Sequence, residues 1–175
     1  LQNISRIVFE NNPVTALQYS VTEGYPQLRE AAKQFANGRE PGLSHPGDGI
    51  IIPSGAQQAI DLAAKCLTDE GDTILCEDPS FIGALNAFRT CRVHLAGVPV
   101  EADGISLQGL EDAIKANPRA KLLYTIPNFQ NPTGVTLSRE KRQAVYDLCL
   151  RHGVAILEDN PYGDLRFSGS HVPAI

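Results

Sequence analysis

The chain has no methionine and no tryptophan, and aromatic residues make up only 6% of it. No apolar run is long enough to span a bilayer, and the net charge of −5 argues against a membrane surface, so no membrane partner is expected. Leu1-Gln2-Asn3-Ile4-Ser5 offers no charged start followed by a continuous apolar stretch, unlike a secretory signal. With no initiator Met, the start reads as a processed or truncated end. Of the four cysteines, Cys66, Cys76, Cys91 and Cys149, no two form a C-x-x-C pair, and three lie in apolar segments. That is the pattern of reduced, buried thiols in a cytoplasmic protein. His45, His94, His152 and His171 are scattered without ligand spacing, so no metal site is expected. A net charge of −5 argues against a nucleic-acid partner. It leaves room for a phosphate ligand, which a few backbone N–H groups can hold on an acidic protein.

The 175 residues are 42% hydrophobic, enough for one compact core. Residues 1 to 22 read as an extended lead-in, and no internal boundary is visible after Glu23. Pro26 suits a first helical turn, and Leu28, Ala31, Ala32 and Phe35 continue at helical spacing. Asn37 to Asp48 is rich in Gly and Pro and reads as a loop. Apolar strands are expected at Ile50-Ile51-Ile52, Thr73 to Cys76, Arg92 to Val98, Leu122 to Ile126 and Val154 to Leu157. Helices are expected between them: Ala59 to Leu67, Ser80 to Arg89, Leu107 to Ala116, and a run capped by Ser138 that ends near His152. Strands alternating with helices imply an α/β fold with a mostly parallel sheet. Continuously apolar strands imply helices on both of its faces.

Ligands in such sheets sit at the C-terminal ends of the strands. Four segments fall there: Ser54-Gly55-Ala56-Gln57, Glu77-Asp78-Pro79-Ser80-Phe81, Asn128-Phe129-Gln130-Asn131-Pro132 and Asp159-Asn160-Pro161-Tyr162. Gly55 lets backbone approach a ligand, and the N–H groups of a first helical turn favour an anion. Equally, the segment is an ordinary tight turn. Asp159 after an apolar strand needs a cation or donors, because an unpaired buried carboxylate is costly. A protonated heteroaromatic nitrogen would serve, and so would a local turn. Asn131-Pro132-Thr133-Gly134 is a stiff turn, suited to a cis peptide, that either aims an amide or is merely structural. Phe81 either stacks on a planar ligand or packs in the core. Tyr162 either bonds a phenolate-like oxygen or is a loop tyrosine. Taken together, these segments supply an anion site, a stacking ring, a carboxylate for a ring nitrogen, and an amide plus a phenol for an oxygen.

Four stretches closely resemble fold-type I pyridoxal-5'-phosphate (PLP) aminotransferases of the aminoadipate and aromatic amino-acid group. They are Leu17-Gln18-Tyr19-Ser20 with Thr22 to Arg29, Ser54 to Gln58, Pro127 to Gly134, and Glu158 to Gly163. The resemblance implies that the chain is part of the large PLP-binding domain of such an enzyme. It implies that Gly55, Ala56 and Gln57 hold the phosphate, Phe81 stacks on the ring, and Asp159 pairs with the ring nitrogen. Asn131 and Tyr162 would bond the ring's 3'-oxygen, with Asn131 also binding the substrate carboxylate. Tyr19 would reach the phosphate of a neighbouring subunit, which implies a homodimer. The implied substrates are an amino acid and a 2-oxo acid. The Schiff-base lysine is expected downstream of Ile175, since Lys33, Lys65, Lys115, Lys121 and Lys141 lie away from the four loops. Two arginines, for the phosphate and for the substrate carboxylate, are expected downstream too. Other readings on the same fold are the ligand-sensing domain of a GntR-type transcription regulator and a β-lyase or synthase.

Overall fold

A computed structural model describes residues 1–40, 42–45 and 47–175. It divides into two compact units, Leu1–Pro53 and Ser54–Ile175, a break that the sequence reading did not place.

The first unit is helical. Helices α1 (Gln2–Asn11) and α2 (Pro13–Leu17) occupy the segment expected to be extended. Ile4, Ile7 and Val8 stand at i, i+3 and i+4 on α1, and Arg6 pairs with Glu10 at 3.3 Å. That spacing was the missed signal. Pro13 sits in the first turn of α2, where its missing N–H costs nothing. Helix α3 (Pro26–Arg39) runs three residues into the expected loop. Of that loop, Pro41 and Pro46 lie outside the described residues. Ile50-Ile51-Ile52 is not a strand. Ile52 N–H donates to Glu23 O at 2.9 Å, but the Ile50 carbonyl is taken by Arg29 Nε at 2.6 Å, so no ladder continues. Gly24, at φ 103°, lies so close that a Cβ there would meet Ile52 Cβ at 2.7 Å.

The second unit follows the expected α/β pattern. It comprises α4 (Ala56–Leu67), β1 (Thr73–Asp78), α5 (Ile82–Thr90), β2 (His94–Glu101), β3 (Gly104–Ile105), α6 (Leu107–Ala116), β4 (Ala120–Thr125), α7 (Arg139–His152) and β5 (Ala155–Glu158). The sheet order is β3-β2-β1-β4-β5, with only the short β3 antiparallel. Alternate residues of the central strands face opposite cores. Ile74, Cys76, Leu122 and Tyr124 pack with Ile60, Ala64, Ala84, Ala87 and Phe88 of α4 and α5. Leu75 and Leu123 pack with Leu110, Ile114, Val145 and Leu148 of α6 and α7. Each fully buried side chain of this kind stabilises the unit by about 1.5–3 kcal/mol, and double coverage explains why the strands carry no polar face. Ser106 and Ser138 cap α6 and α7, each Oγ accepting a backbone N–H at 3.3 Å. Cys76 and Cys149 are buried in the two cores, and burial pushes the Cys76 thiol up to about 12, so it packs as a neutral apolar group.

The chain runs from β1 to β2 on one side and then returns to β4 on the other side of β1. That reversal opens a crevice beyond the C-terminal ends of β1 and β4, where such sheets take ligands.

Candidate functional site

At that crevice Ala56, Gln57, Phe81, Asn131, Asp159 and Tyr162, with Ile60, Ile126 and Pro161, line one cleft of about 230 Å³. Six residues singled out from four separate loops therefore meet in one wall. Gly55 is the N-cap of α4, next to Ala56. Its φ of 89° is the reason for glycine, because a Cβ there would meet nothing within 4 Å. No side chain caps α4, so its first-turn N–H groups stay available to an anion. The Gln57 side chain is occupied elsewhere, donating from Nε2 to Gly83 O at 3.0 Å, which leaves its backbone for the cleft. Tyr19 belongs to the Leu1–Pro53 unit and is fully exposed there.

Phe81 is placed by α5. Its ring lies over Gly83, where a Cβ would meet Phe81 Cε1 at 2.6 Å. A side chain at Gly83 would occupy the ring's seat.

The Asn131 turn is held by a residue overlooked in the sequence. Gln130, 2% exposed, donates from Nε2 to Pro79 O at 2.8 Å and to Glu77 Oε2 at 3.2 Å. Its Oε1 accepts from Thr133 N at 2.9 Å and Thr133 Oγ1 at 2.7 Å. The loop after β1 is thereby tied to the loop after β4. Both Asp78–Pro79 and Asn131–Pro132 are cis. Glu77 is buried, and burial raises its pKa against the lowering effect of donors from Thr125 Oγ1, Ile126 N and Gln130 Nε2. The signal for Glu77 was an acid directly after Leu75-Cys76; only the neighbours show that it is enclosed.

Asp159 donates its backbone N–H to Thr125 O at 2.9 Å and accepts from the Tyr124 hydroxyl at 2.7 Å. Burial first, and then this bond, push the Tyr124 hydroxyl up, so it stays protonated. Tyr124 too was passed over, although it is the single tyrosine in an aliphatic strand. The Tyr162 loop is held by Asn160, whose Oδ1 accepts from Gly163 N and from Asn128 Nδ2, both at 3.0 Å. Asn128 Oδ1 in turn accepts from buried Arg142 at 2.8 Å, and Arg142 also donates to the Leu137, Pro127 and Pro173 carbonyls. Gly163 allows this contact, since a Cβ would lie 2.5 Å from Asn160 Oδ1.

The cleft fits PLP. It combines free helix N–H groups, an aromatic ring, a carboxylate with one oxygen uncommitted, and an amide with a phenol. No lysine lines it among the described residues. Among those residues, no group of three or more His, Cys, Asp or Glu could hold a metal, and no helix is long and apolar enough to cross a membrane.

Comparison with known proteins agrees with this geometry. The family model for class I and II aminotransferases matches residues 5–175. An aromatic-amino-acid aminotransferase of Thermococcus litoralis is 36% identical over 98% of this chain and 42% of its own length. An HTH-type transcriptional regulator of Bacillus subtilis, YisV, is 36% identical over 94% of this chain and 34% of its own. The crystal structure of an α-aminoadipate aminotransferase from Thermus thermophilus, complexed with N-(5'-phosphopyridoxyl)-L-leucine, superposes with a TM-score of 0.85. That match is 33% identical and covers 99% of this chain and 42% of that one. The chain thus spans less than half the length of these relatives. With the family model covering nearly all of it, and a fold-type I architecture around the cleft, the chain belongs to the class I and II aminotransferases.

Proposed function

We propose that this chain forms part of an aminotransferase that moves an amino group from an amino acid, of aromatic or 2-aminoadipate type, to a 2-oxo acid through PLP. The carrying observation is the convergence of Ala56, Gln57, Phe81, Asn131, Asp159 and Tyr162 on one cleft in a chain of this family. When bound, the cofactor supplies an electron sink for the pair left on the substrate Cα. The protein's part is to hold and tune it. The N–H groups around Gly55, Ala56 and Gln57 hold the phosphate. Phe81 covers one ring face. Asp159 keeps the ring nitrogen protonated, and each unit by which it raises that nitrogen's pKa is worth about 1.4 kcal/mol. Asn131 and Tyr162 bond the 3'-oxygen, and Asn131 also orients the substrate carboxylate. Tyr19, exposed in its own unit, reaches the phosphate of a second subunit in a homodimer. The proposed setting is the cytoplasm.

The test is the full-length protein incubated with PLP and then with an aromatic amino acid or 2-aminoadipate. The expected result is a visible absorbance band that changes on adding the amino donor, with 2-oxo acid formed. Cofactor uptake without transfer would overturn the enzymatic reading. It would favour a second one, a ligand-sensing domain, which the equal 36% identity to a transcriptional regulator supports. Amino-donor-dependent binding of the full-length protein to DNA near its own gene would establish that alternative.

A further inference from the structure

Tyr124 can act on the cleft without lining it. It is fully buried near the end of β4, and its ring meets Phe88 of α5 edge-on, with centroids 5.3 Å apart at 74°. The ring therefore has one seat. A hydroxyl in so apolar a place needs a partner. The β4–β5 register, which sets Tyr124 opposite Leu157 and Thr125 opposite Glu158, brings that partner up. The hydroxyl donates to Asp159 Oδ2 at 2.7 Å, and the Asp159 backbone is pinned one residue further on, to Thr125 O at 2.9 Å. No other side chain among the described residues bonds the carboxylate, so Oδ1 remains for the cleft that Asp159 lines.

We infer that Tyr124 is a positioning residue for Asp159: its hydroxyl holds Oδ2 and so locks the carboxylate rotamer that presents Oδ1 to the cleft. The inference rests on the proposed pairing of Asp159 with the cofactor's ring nitrogen, and it adds a residue to it. A carboxylate fixed in one rotamer keeps its uncommitted oxygen aimed at the ring nitrogen. Tyr124 thus guards the charge state that Asp159 creates. The other titratable groups nearby are Tyr162 on the cleft wall, and Glu77 and Cys76 of β1, which act on Tyr124.

The experiment uses the full-length protein loaded with PLP labelled with ¹⁵N in the ring. Tyr124→Phe keeps the ring against Phe88 and removes only the donor. The ring-nitrogen resonance is expected to move toward the unprotonated value. Turnover should fall about tenfold, the effect of roughly one lost hydrogen bond to a charged group. Cofactor affinity should change much less. In an Asp159→Asn background the same substitution should add nothing, as for two groups acting through one contact. In the apoprotein, ¹³C-carboxyl NMR should show the Asp159 signal shifting and broadening with Phe, as the side chain regains rotamer freedom. With 3-fluorotyrosine at 124, a stronger donor, the signal should move in the opposite direction. An unmoved ring nitrogen together with an unchanged Asp159 carboxyl signal would overturn the inference, as would full additivity with Asp159→Asn. If the wild-type protein takes up no PLP, the cofactor reading fails, while the apoprotein carboxyl signal still decides the role of Tyr124. If Tyr124→Phe does not fold, the fluorotyrosine shift decides it.

Discussion

Gln130→Glu separates the electrostatics of the clamp from its shape. The substitution keeps volume but exchanges the amide –NH₂ for an oxygen, 3.2 Å from Glu77 Oε2. Glu77 is already pushed up by burial, and its hydrogen bonds come from the neutral donors Thr125, Ile126 and Gln130. At an effective dielectric of about 20, two charges 3.2 Å apart repel by 332/(20 × 3.2), about 5 kcal/mol. The pair escapes by taking up one proton. At pH 7.5 that costs about 4 kcal/mol, some 1.4 kcal/mol for each unit above an ordinary carboxylate pKa of about 4.3. The two routes cost about the same. The sign follows from linkage. A carboxylate whose folded pKa is raised contributes stability that is complete below its unfolded pKa and is lost as pH rises through the folded one. The protonated variant can donate its O–H to Glu77 and recover the contact. Urea denaturation of wild type and variant between pH 5 and 8 should therefore give a stability gap that widens by about 1.4 kcal/mol per unit. Gln130→Ala, which loses the same bonds without adding charge, should give a gap that does not widen in this way. A Gln130→Glu gap constant across the range, or a variant as stable as wild type at pH 8, would refute the enclosed Glu77–Gln130 contact.

Asp159→Ala in the full-length protein should cut turnover by about a hundredfold while cofactor affinity falls far less, since two units of lost pKa tuning are about a hundredfold in rate; equal losses in kinetics and in PLP titration would count against the electronic role. Gly83→Ala puts a methyl where the Phe81 ring lies, and the lost stacking should weaken PLP binding about three- to tenfold with little change in melting temperature. Ser138→Ala removes the α7 cap and should cost about 1 kcal/mol in denaturant unfolding, without altering cofactor affinity.

The α/β alternation and the cleft residues were legible because each rests on local chemistry. Continuous apolar strands announce two covered faces, and polar strand ends announce where ligands sit. The failures have physical causes. Ile50-Ile51-Ile52 has the composition of a strand, but a strand exists only with a partner, and Arg29 takes the carbonyl that pairing would need. The helical spacing of Ile4, Ile7 and Val8 was overlooked because α1 buries none of its residues, so no core pattern reinforced it. Gln130 and Tyr124 were invisible for another reason. Their partners, Glu77 and Asp159, lie 53 and 35 residues away, and only the β1–β4–β5 order brings them together.

β1 and β5 end alike, in Cys76-Glu77-Asp78-Pro79 and Leu157-Glu158-Asp159-Asn160-Pro161, yet the acids do different work. In β1, flanked on both sides, the glutamate faces inward and is enclosed by Thr125, Ile126 and Gln130. Its bonds face the protein, so it can organise the Asn131 turn but offers nothing to a ligand. In β5, Glu158 accepts the Ile175 N–H at 2.9 Å, and the following aspartate turns to the cleft with a single side-chain donor. A carboxylate closed by neutral donors fixes geometry; a carboxylate left one donor short has an oxygen to give a cation. The donors that the fold gathers around each acid, not the local sequence, decide which becomes structural and which is left for the ligand.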